Sequence, residues 1–413
     1  MIRGATVICV SSIDWDFNWQ QPQEVASALA AAGNRVLFIE NTGVRRPRLR
    51  DAKRLAARLR NWWRAGGGAK PAGAGLDVLS PLLLPFPYSR LARALNAAAL
   101  LRFVRRWIAR DDRDAPLIVY TFLPTPLVHA LIRALGPELV VYYCIDRLSE
   151  SSPGARPLRE PEEELIAGAD LVLTSSGKLY DAAAQLTPRV EMLPCGVRCR
   201  EFEDARASDA ETPSLFARLA GIVIGFAGTL RNEIDLALLA AAAELAPDLN
   251  FVFVGPVMAN VRALAARPNV RMVGPVPHAE ISRYMARFDV GVLPYVLNRY
   301  TEAIMPAKLK EYLAAGLPVV ATPLPEVRRF ADEHPEVVTF ADDAPQFVAA
   351  LRAAAATNGR TLEMRRMRIA RRYDWSAQMA LMNELMERAL GDRCHPERSE
   401  GSPAEGDSSL RSE

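Results

Sequence analysis

Lys308 and Glu311 stand three residues apart in the run Met305-Pro306-Ala307-Lys308-Leu309-Lys310-Glu311-Tyr312-Leu313-Ala314-Ala315-Gly316. On a helix, such positions share a face. An ammonium and a carboxylate therefore point the same way from a segment that Pro306 opens and Gly316 stops. The first group suits a diphosphate and the second a ribose diol, a pairing that fits a nucleotide-sugar site. The plainer reading is a surface ion pair worth a few tenths of a kcal/mol.

Further candidates sit where apolar runs end. Gly225-Phe226-Ala227-Gly228-Thr229-Leu230 leads toward a helix near Glu233, and its glycines let backbone N–H groups approach a phosphate. Val254-Gly255-Pro256 and Val273-Gly274-Pro275-Val276-Pro277-His278 each follow a strand-like run, where ligands bind in doubly wound sheets. Asp146 follows Tyr142-Tyr143-Cys144-Ile145. It reads either as a base for an acceptor hydroxyl, as an inverting mechanism requires, or as a turn-capping carboxylate. Asp14, Trp15 and Trp19 follow the first apolar run, and Glu40 follows the second. The two Trp rings either stack on a sugar or pack the first helix on a sheet; Glu40 either faces ligand or bonds loop backbone near Asn41. Glu162-Glu163-Glu164 reads as a charged helix start. None of the four histidines has a setting that suggests general-base work, and His278 reads as a capping or surface residue.

Positioning these residues takes an alternation of short β-rich runs with amphipathic helices, the α/β signature. Strands are expected at 6–10, 36–39, 117–120, 139–143, 171–173 and 190–193, then at 222–226, 251–254, 270–273, 290–293, 319–321 and 337–339. They are apolar throughout, as parallel strands covered on both faces must be. The 413 residues suggest two domains of ordinary size. Residues 1–198 and 199–372 are the expected pair, with the polar stretch from Arg198 to Pro213 at the crossing. A last helix over 373–391, capped by Asp374 or Ser376, precedes a Gly/Ser/Glu-rich tail over 392–413 that should be disordered.

The net charge is +3, yet ten basic residues against Asp51 alone fall between Val44 and Lys70. The five cysteines have no framework or zinc spacing, which fits a reducing cytosol. Met1 to Ser12 does not read as a signal peptide, and no window has the ~18 apolar residues of a membrane span. Segments 51–63 and 91–110 combine Leu, Trp and Phe with flanking Arg. Either they lie on an anionic bilayer, the favoured reading, or they simply cover a sheet. The patch has no accompanying nucleic-acid motif.

The pattern P-x-K-x-x-E-Y-L-A-A-G-x-P-V-V resembles the donor helix of bacterial glycosyltransferases with the GT-B fold. The runs 11–23 and 38–47 look like those of enzymes from cell-surface polysaccharide clusters, and similarity extends from about residue 5 to 391. The resemblance implies two Rossmann-like domains facing across a cleft, with the last helix returning to the N-terminal one. It implies donor binding by Gly228, Thr229, Arg231, Gly255, Val276, Pro306, Lys308 and Glu311, and acceptor binding by Asp14, Trp15, Trp19 and Glu40. Asp146 and Lys308 would be catalytic. Such enzymes need no metal or cofactor; the donor would be a UDP, GDP or dTDP sugar and the acceptor a glycan or lipid-linked glycan. The expected location is cytoplasmic, peripheral on the inner face of the membrane. One departure stands out. Many retaining relatives carry a second glutamate eight positions before Glu311, where this chain has Ala303, with Glu302 beside it. Either Glu302 serves by a local shift or Pro306 and Lys308 replace it, and the point charge of Lys308 favours the latter. A sugar-nucleotide 2-epimerase on the same architecture is the nearest rival, though that chemistry wants placed His residues. A non-catalytic sugar-nucleotide-binding partner is the other.

Overall fold

The computed structural model describes residues 2–16, 19–42, 68–84, 86, 89–111, 115–207 and 213–394. They build two parallel sheets. The first comprises β1 (Thr6–Val10), β2 (Arg35–Ile39), β3 (Lys70–Gly73), β4 (Leu76–Leu79), β5 (Leu117–Thr121), β6 (Leu139–Cys144), β7 (Leu171–Thr174) and β8 (Val190–Met192), in the order β3-β4-β2-β1-β5-β6-β7-β8. The second comprises β9 (Val223–Ala227), β10 (Asn250–Val254), β11 (Val270–Gly274), β12 (Val290–Leu293), β13 (Val319–Ala321) and β14 (Val338–Phe340), in the order β11-β10-β9-β12-β13-β14. Every pairing between these strands is parallel except β3 with β4. The strand order reverses beside β1 and beside β9, and each reversal opens a crevice at the carboxyl ends of the strands.

Both faces of each sheet are covered, which explains the uninterrupted apolar runs. On the first sheet, α1 (Gln21–Ala31) packs one face, while α2 (Arg90–Ile108) and α3 (Pro126–Leu135) pack the other. In α2, Leu100, Val104 and Trp107 are buried in that core, and Phe103 and Ile108 lean on it. The Trp107 indole donates to Asp77 at 2.8 Å, and the Arg35 guanidinium lies 3.8 Å from its ring centre. Much of the apolar side assigned to a bilayer thus faces the sheet. The expected helix at 51–63 lies outside the described residues.

The hairpin β3–β4 was not anticipated. Lys70-Pro71-Ala72-Gly73 is exposed and carries no apolar run, because it is an edge strand. Glu162 falls at a charged helix start, as expected. It stands in the first turn of α4 (Arg159–Gly168), but it is buried there, 8 % exposed, and accepts from the Tyr142 hydroxyl at 2.6 Å. Burial raises its proton affinity.

The chain crosses between lobes twice, side by side. Val197 pairs in parallel with Asp374; its N–H donates to Tyr373 O at 2.9 Å, and Trp375 N–H donates to Val197 O at 3.1 Å. A Cβ on Gly196 would lie 2.4 Å from the Trp375 ring, so only glycine lets the two strands of chain close up. After the first crossing, residues expected as a polar linker form α6 (Cys199–Ala207), with Cys199 and Phe202 buried in the second lobe. After the second, α9 (Trp375–Cys394) returns to the first lobe, where Met382, Leu385 and Met386 join its core. Asp374 caps this helix through Ser376 N–H at 3.0 Å. The helix extends to Cys394, past the expected boundary, and the rest of the expected tail lies outside the described residues.

A separate contact joins the lobes. Glu326, near the start of α8 (Pro325–Glu333) and 4 % exposed, accepts from the N–H groups of Gly177 and Lys178 at 2.8 and 2.9 Å. These open α5 (Gly177–Ala184) of the first lobe, so a carboxylate of one lobe caps a helix of the other. Ser176 Oγ donates to Ala303 O at 2.7 Å, and Ala303 is buried in a cluster of first-lobe side chains.

Candidate functional site

Between the lobes lies a cleft of about 440 Å³, within the range of ligand sites. The helix α7 (Ala307–Ala314) points its first turn into it, with Pro306, Ala307, Lys308 and Glu311 on the wall. Lys308 Nζ lies 2.7 and 3.0 Å from the two Glu311 carboxylate oxygens. Both readings of this pair therefore meet in one place: the ion pair forms, and it forms in the cleft wall. The side chains are only 22 and 18 % exposed.

Opposite them is the turn after β9. A Cβ on Gly228 would lie 3.4 Å from Lys308 Cε, so the lysine stem runs across this turn. The turn rests on the next one. Gly228 N–H donates to Val254 O at 2.8 Å, and Gly255 N–H donates to Gly274 O at 2.8 Å. Gly255 has φ +137°, and a Cβ there would lie 2.2 Å from Gly228 O. Only glycine permits this stacking of turns. Thr229, Arg231, Gly255 and Val276 complete the wall, so every donor-side candidate lines one cleft.

Asp146 faces them from the first lobe. Burial pushes its carboxyl up to about 6; Arg231 pulls it down and Glu233 adds a further rise. A carboxylate with that affinity can take a proton near neutral pH. Glu302, the alternative first glutamate, is bound elsewhere: Lys178 Nζ lies 2.7 Å from it, across the lobe contact and off the cleft wall. The neighbouring Lys310 is 1 % exposed. Its Nζ has no hydrogen-bond partner among the described residues and lies 4.8 Å from the Tyr373 ring centre, and burial lowers it to about 8.

The acceptor-side candidates divide. Trp19 lines the cleft; its indole donates to Glu24 at 2.7 Å, and Arg198 bonds the same carboxylate. Trp15 and Glu40 line a different, smaller pocket of about 230 Å³, with Asp16 and Lys70. Trp15 packs edge-on against Phe38 and Trp19, with centroids 4.9 and 5.5 Å away. Glu40 is 2 % exposed and accepts from Trp15 N–H at 2.9 Å, the loop-backbone reading with a different partner. Asp14 lines neither cavity. Packing thus accounts for Trp15, and loop support for Glu40. His278 lies exposed at the cleft margin.

Sequence reasoning missed Tyr295 and Tyr300, and took Glu233 only as the mark of a helix start; all three face the cleft. Both tyrosines follow the end of β12, beside the reversal in strand order, and that position was the available signal.

The family described as Glycosyl transferases group 1 matches residues 221–357. The chain is 31 % identical over 273 residues to a putative teichuronic acid biosynthesis glycosyltransferase, TuaH, of Bacillus subtilis strain 168, covering 62 % of this chain and 68 % of that protein. Among solved structures it resembles a sucrose-phosphate synthase from Thermosynechococcus elongatus, with TM-score 0.67, 16 % identity, and 94 and 99 % of the two chains covered. It also resembles HepE of Anabaena, solved with UDP and glucose, with TM-score 0.64, 13 % identity, and 92 and 99 % covered. At those identities the structural likeness speaks for the fold.

Proposed function

This chain belongs to the group 1 glycosyltransferases, and on that premise we propose that it moves a sugar from a nucleoside diphosphate to a cell-surface glycan or its lipid-linked precursor. The observation that carries the donor reading is the Lys308–Glu311 pair held over the Gly228 turn in the wall of the interlobe cleft. A structural neighbour solved with UDP and glucose supports the nucleotide, and a teichuronic acid relative supports the glycan.

In the proposed reaction an acceptor hydroxyl attacks the anomeric carbon. The bond from that carbon to the diphosphate oxygen breaks, and the electron pair leaves with the nucleoside diphosphate. Lys308 and the backbone N–H groups at the Gly228 turn would stabilise the departing charge, while Glu311 would hold the ribose diol. Asp146 would take the hydroxyl proton. Thermal melts with UDP, GDP and dTDP test the donor half. The fitting nucleotide, at a hundredfold excess over its Kd, should stabilise the protein by about 2.7 kcal/mol. If none of the three shifts the melt, the donor reading is wrong.

A lipid-linked acceptor calls for a membrane face. Among the described residues, no helix is long and apolar enough to cross a bilayer. Exposed apolar residues nevertheless gather before and within the first turns of α2. Leu82, Leu84 and Phe86 are 45 to 56 % exposed, and Leu91 and Leu95 are 72 and 52 % exposed. The exposed side chains of Arg90, Arg102, Arg105 and Arg106 lie along the same helix. We assign this face to the inner surface of an anionic membrane, at roughly 1 kcal/mol per cation. Leu91→Glu with Leu95→Glu should reduce sedimentation with phosphatidylglycerol vesicles at least tenfold. Unchanged sedimentation would remove the membrane from the account.

A further inference from the structure

The cleft holds a polar cluster that the transfer reaction as described leaves unused. Glu233 and Tyr295 are joined through their own loops. Ile234 bridges Tyr295 in antiparallel fashion, Val296 N–H donates to Glu233 O at 2.9 Å, and Asp235 N–H donates to Pro294 O at 2.7 Å. On the other side, Leu230 is tied to the turn after β10, donating to Pro256 O at 2.9 Å and accepting from Met258 at 2.8 Å. Tyr300 is held equally firmly. The Asn298 side chain accepts from the N–H groups of Tyr300 and Thr301 at 2.9 and 3.0 Å, and the buried Thr301 hydroxyl donates to Val296 O at 2.6 Å.

So fixed, Glu233, Tyr295 and Tyr300 share one cavity with Asp146 and Arg231. One carboxylate oxygen of Glu233 is buried and has no hydrogen-bond partner among the described residues. A buried carboxylate oxygen left in that state is costly unless a ligand fills it. The groups also sense one another. Asp146, Glu233 and Arg231 all shift the proton affinities of Tyr295 and Tyr300.

The location says which part of a ligand belongs here. Gly228, under the Lys308 stem, begins the loop that Glu233 ends, and Asp146 stands on the facing lobe. On the nucleotide-sugar reading, the transferred sugar lies between diphosphate and acceptor, which is this space.

We propose that Glu233, with Tyr295 and Tyr300, reads the hydroxyls of the transferred sugar and selects a neutral hexose over a hexuronate. Two carboxylates against one guanidinium make the pocket a hydrogen-bond acceptor, suited to O–H donors. A sugar carboxylate would bring a third negative charge among them. The proposal rests on the nucleotide-sugar reading, and its test separates the two.

Calorimetric Kd values are to be measured for UDP, UDP-glucose and UDP-glucuronate, and for GDP and GDP-mannose, on wild type, Glu233→Gln and Tyr300→Phe. Wild type should bind a neutral conjugate at least tenfold more tightly than the glucuronate. Glu233→Gln should keep the affinity for the free nucleotide within twofold, which also reports that it is folded. It should lose most of the tenfold preference, and Tyr300→Phe should lose about threefold of the neutral sugar's affinity. Equal binding of glucose and glucuronate conjugates by wild type would overturn the selection, as would an unchanged ratio in both variants. If neither nucleotide nor any conjugate binds, the nucleotide-sugar reading itself fails and takes the proposal with it.

Discussion

A Lys308→Ala variant is expected to transfer sugar roughly 100- to 1,000-fold more slowly than wild type, the usual loss when one preorganised group facing developing charge is removed. Two consequences of the geometry combine. The cation that meets the departing diphosphate is gone, and the Glu311 carboxylate, 2.7 Å from Lys308 Nζ in wild type, becomes an uncompensated anion in the same wall. The double variant Lys308→Ala/Glu311→Gln should therefore recover part of the nucleotide affinity lost by the single one, a coupling expected of groups in contact. A solvated ion pair predicts something else: a few tenths of a kcal/mol of stability and unaltered turnover. Steady-state rates for the three proteins decide, and wild-type turnover by Lys308→Ala would end the donor-helix account.

Asp146→Asn should cost on the order of 10²- to 10⁴-fold in kcat/KM, the range for a positioned general base. Its pH dependence has a definite sign. The carboxyl is raised to about 6, so the active carboxylate form is lost as pH falls through 6. Wild-type kcat/KM should drop tenfold per pH unit below that point, and the Asp146→Asn variant should lack this limb. Stability runs the opposite way. A carboxyl with a folded pKa above its unfolded value holds its proton more tightly in the native state, so ionisation weakens the fold between about pH 4 and 6. At pH 7 the variant should then melt no lower than wild type. Little loss of activity, or an acid limb that persists after the Asp146→Asn substitution, would remove Asp146 from the chemistry. The anomeric configuration of the product adds a further reading, because direct proton removal by Asp146 goes with inversion.

Much of this is legible in the sequence. The parallel strands announced themselves because burial on both faces leaves no room for polar alternation, and β1 and β13 appear at the expected residues. The cleft wall formed by α7 was legible for a related reason. Lys308 and Glu311 are close in sequence, and helical spacing alone puts them on one face. The first-lobe side was not. Trp15 and Trp19 are near neighbours in a loop without periodicity, and nothing local says that one turns into the cleft and the other against Phe38. Glu233, Tyr295 and Tyr300 come from two loops far apart in the chain that only the sheet order makes neighbours. Leu100, Val104 and Trp107 were legible as an apolar helix face, but the partner of that face was not. Burial shows it to be the sheet, which leaves Leu91 and Leu95 as the outward part.

The lobe contact at Glu326 and Ala303 has an evolutionary consequence. The second half of the chain supplies pieces of the first lobe's interior: Ala303 enters a first-lobe cluster, and Met382, Leu385 and Met386 of α9 join the first lobe's core. The first half alone is therefore not a self-sufficient module. Recombining whole halves between homologues would expose apolar seats with no occupant, so lineages of this architecture should diversify their substrates through the rims of the strands, one loop at a time.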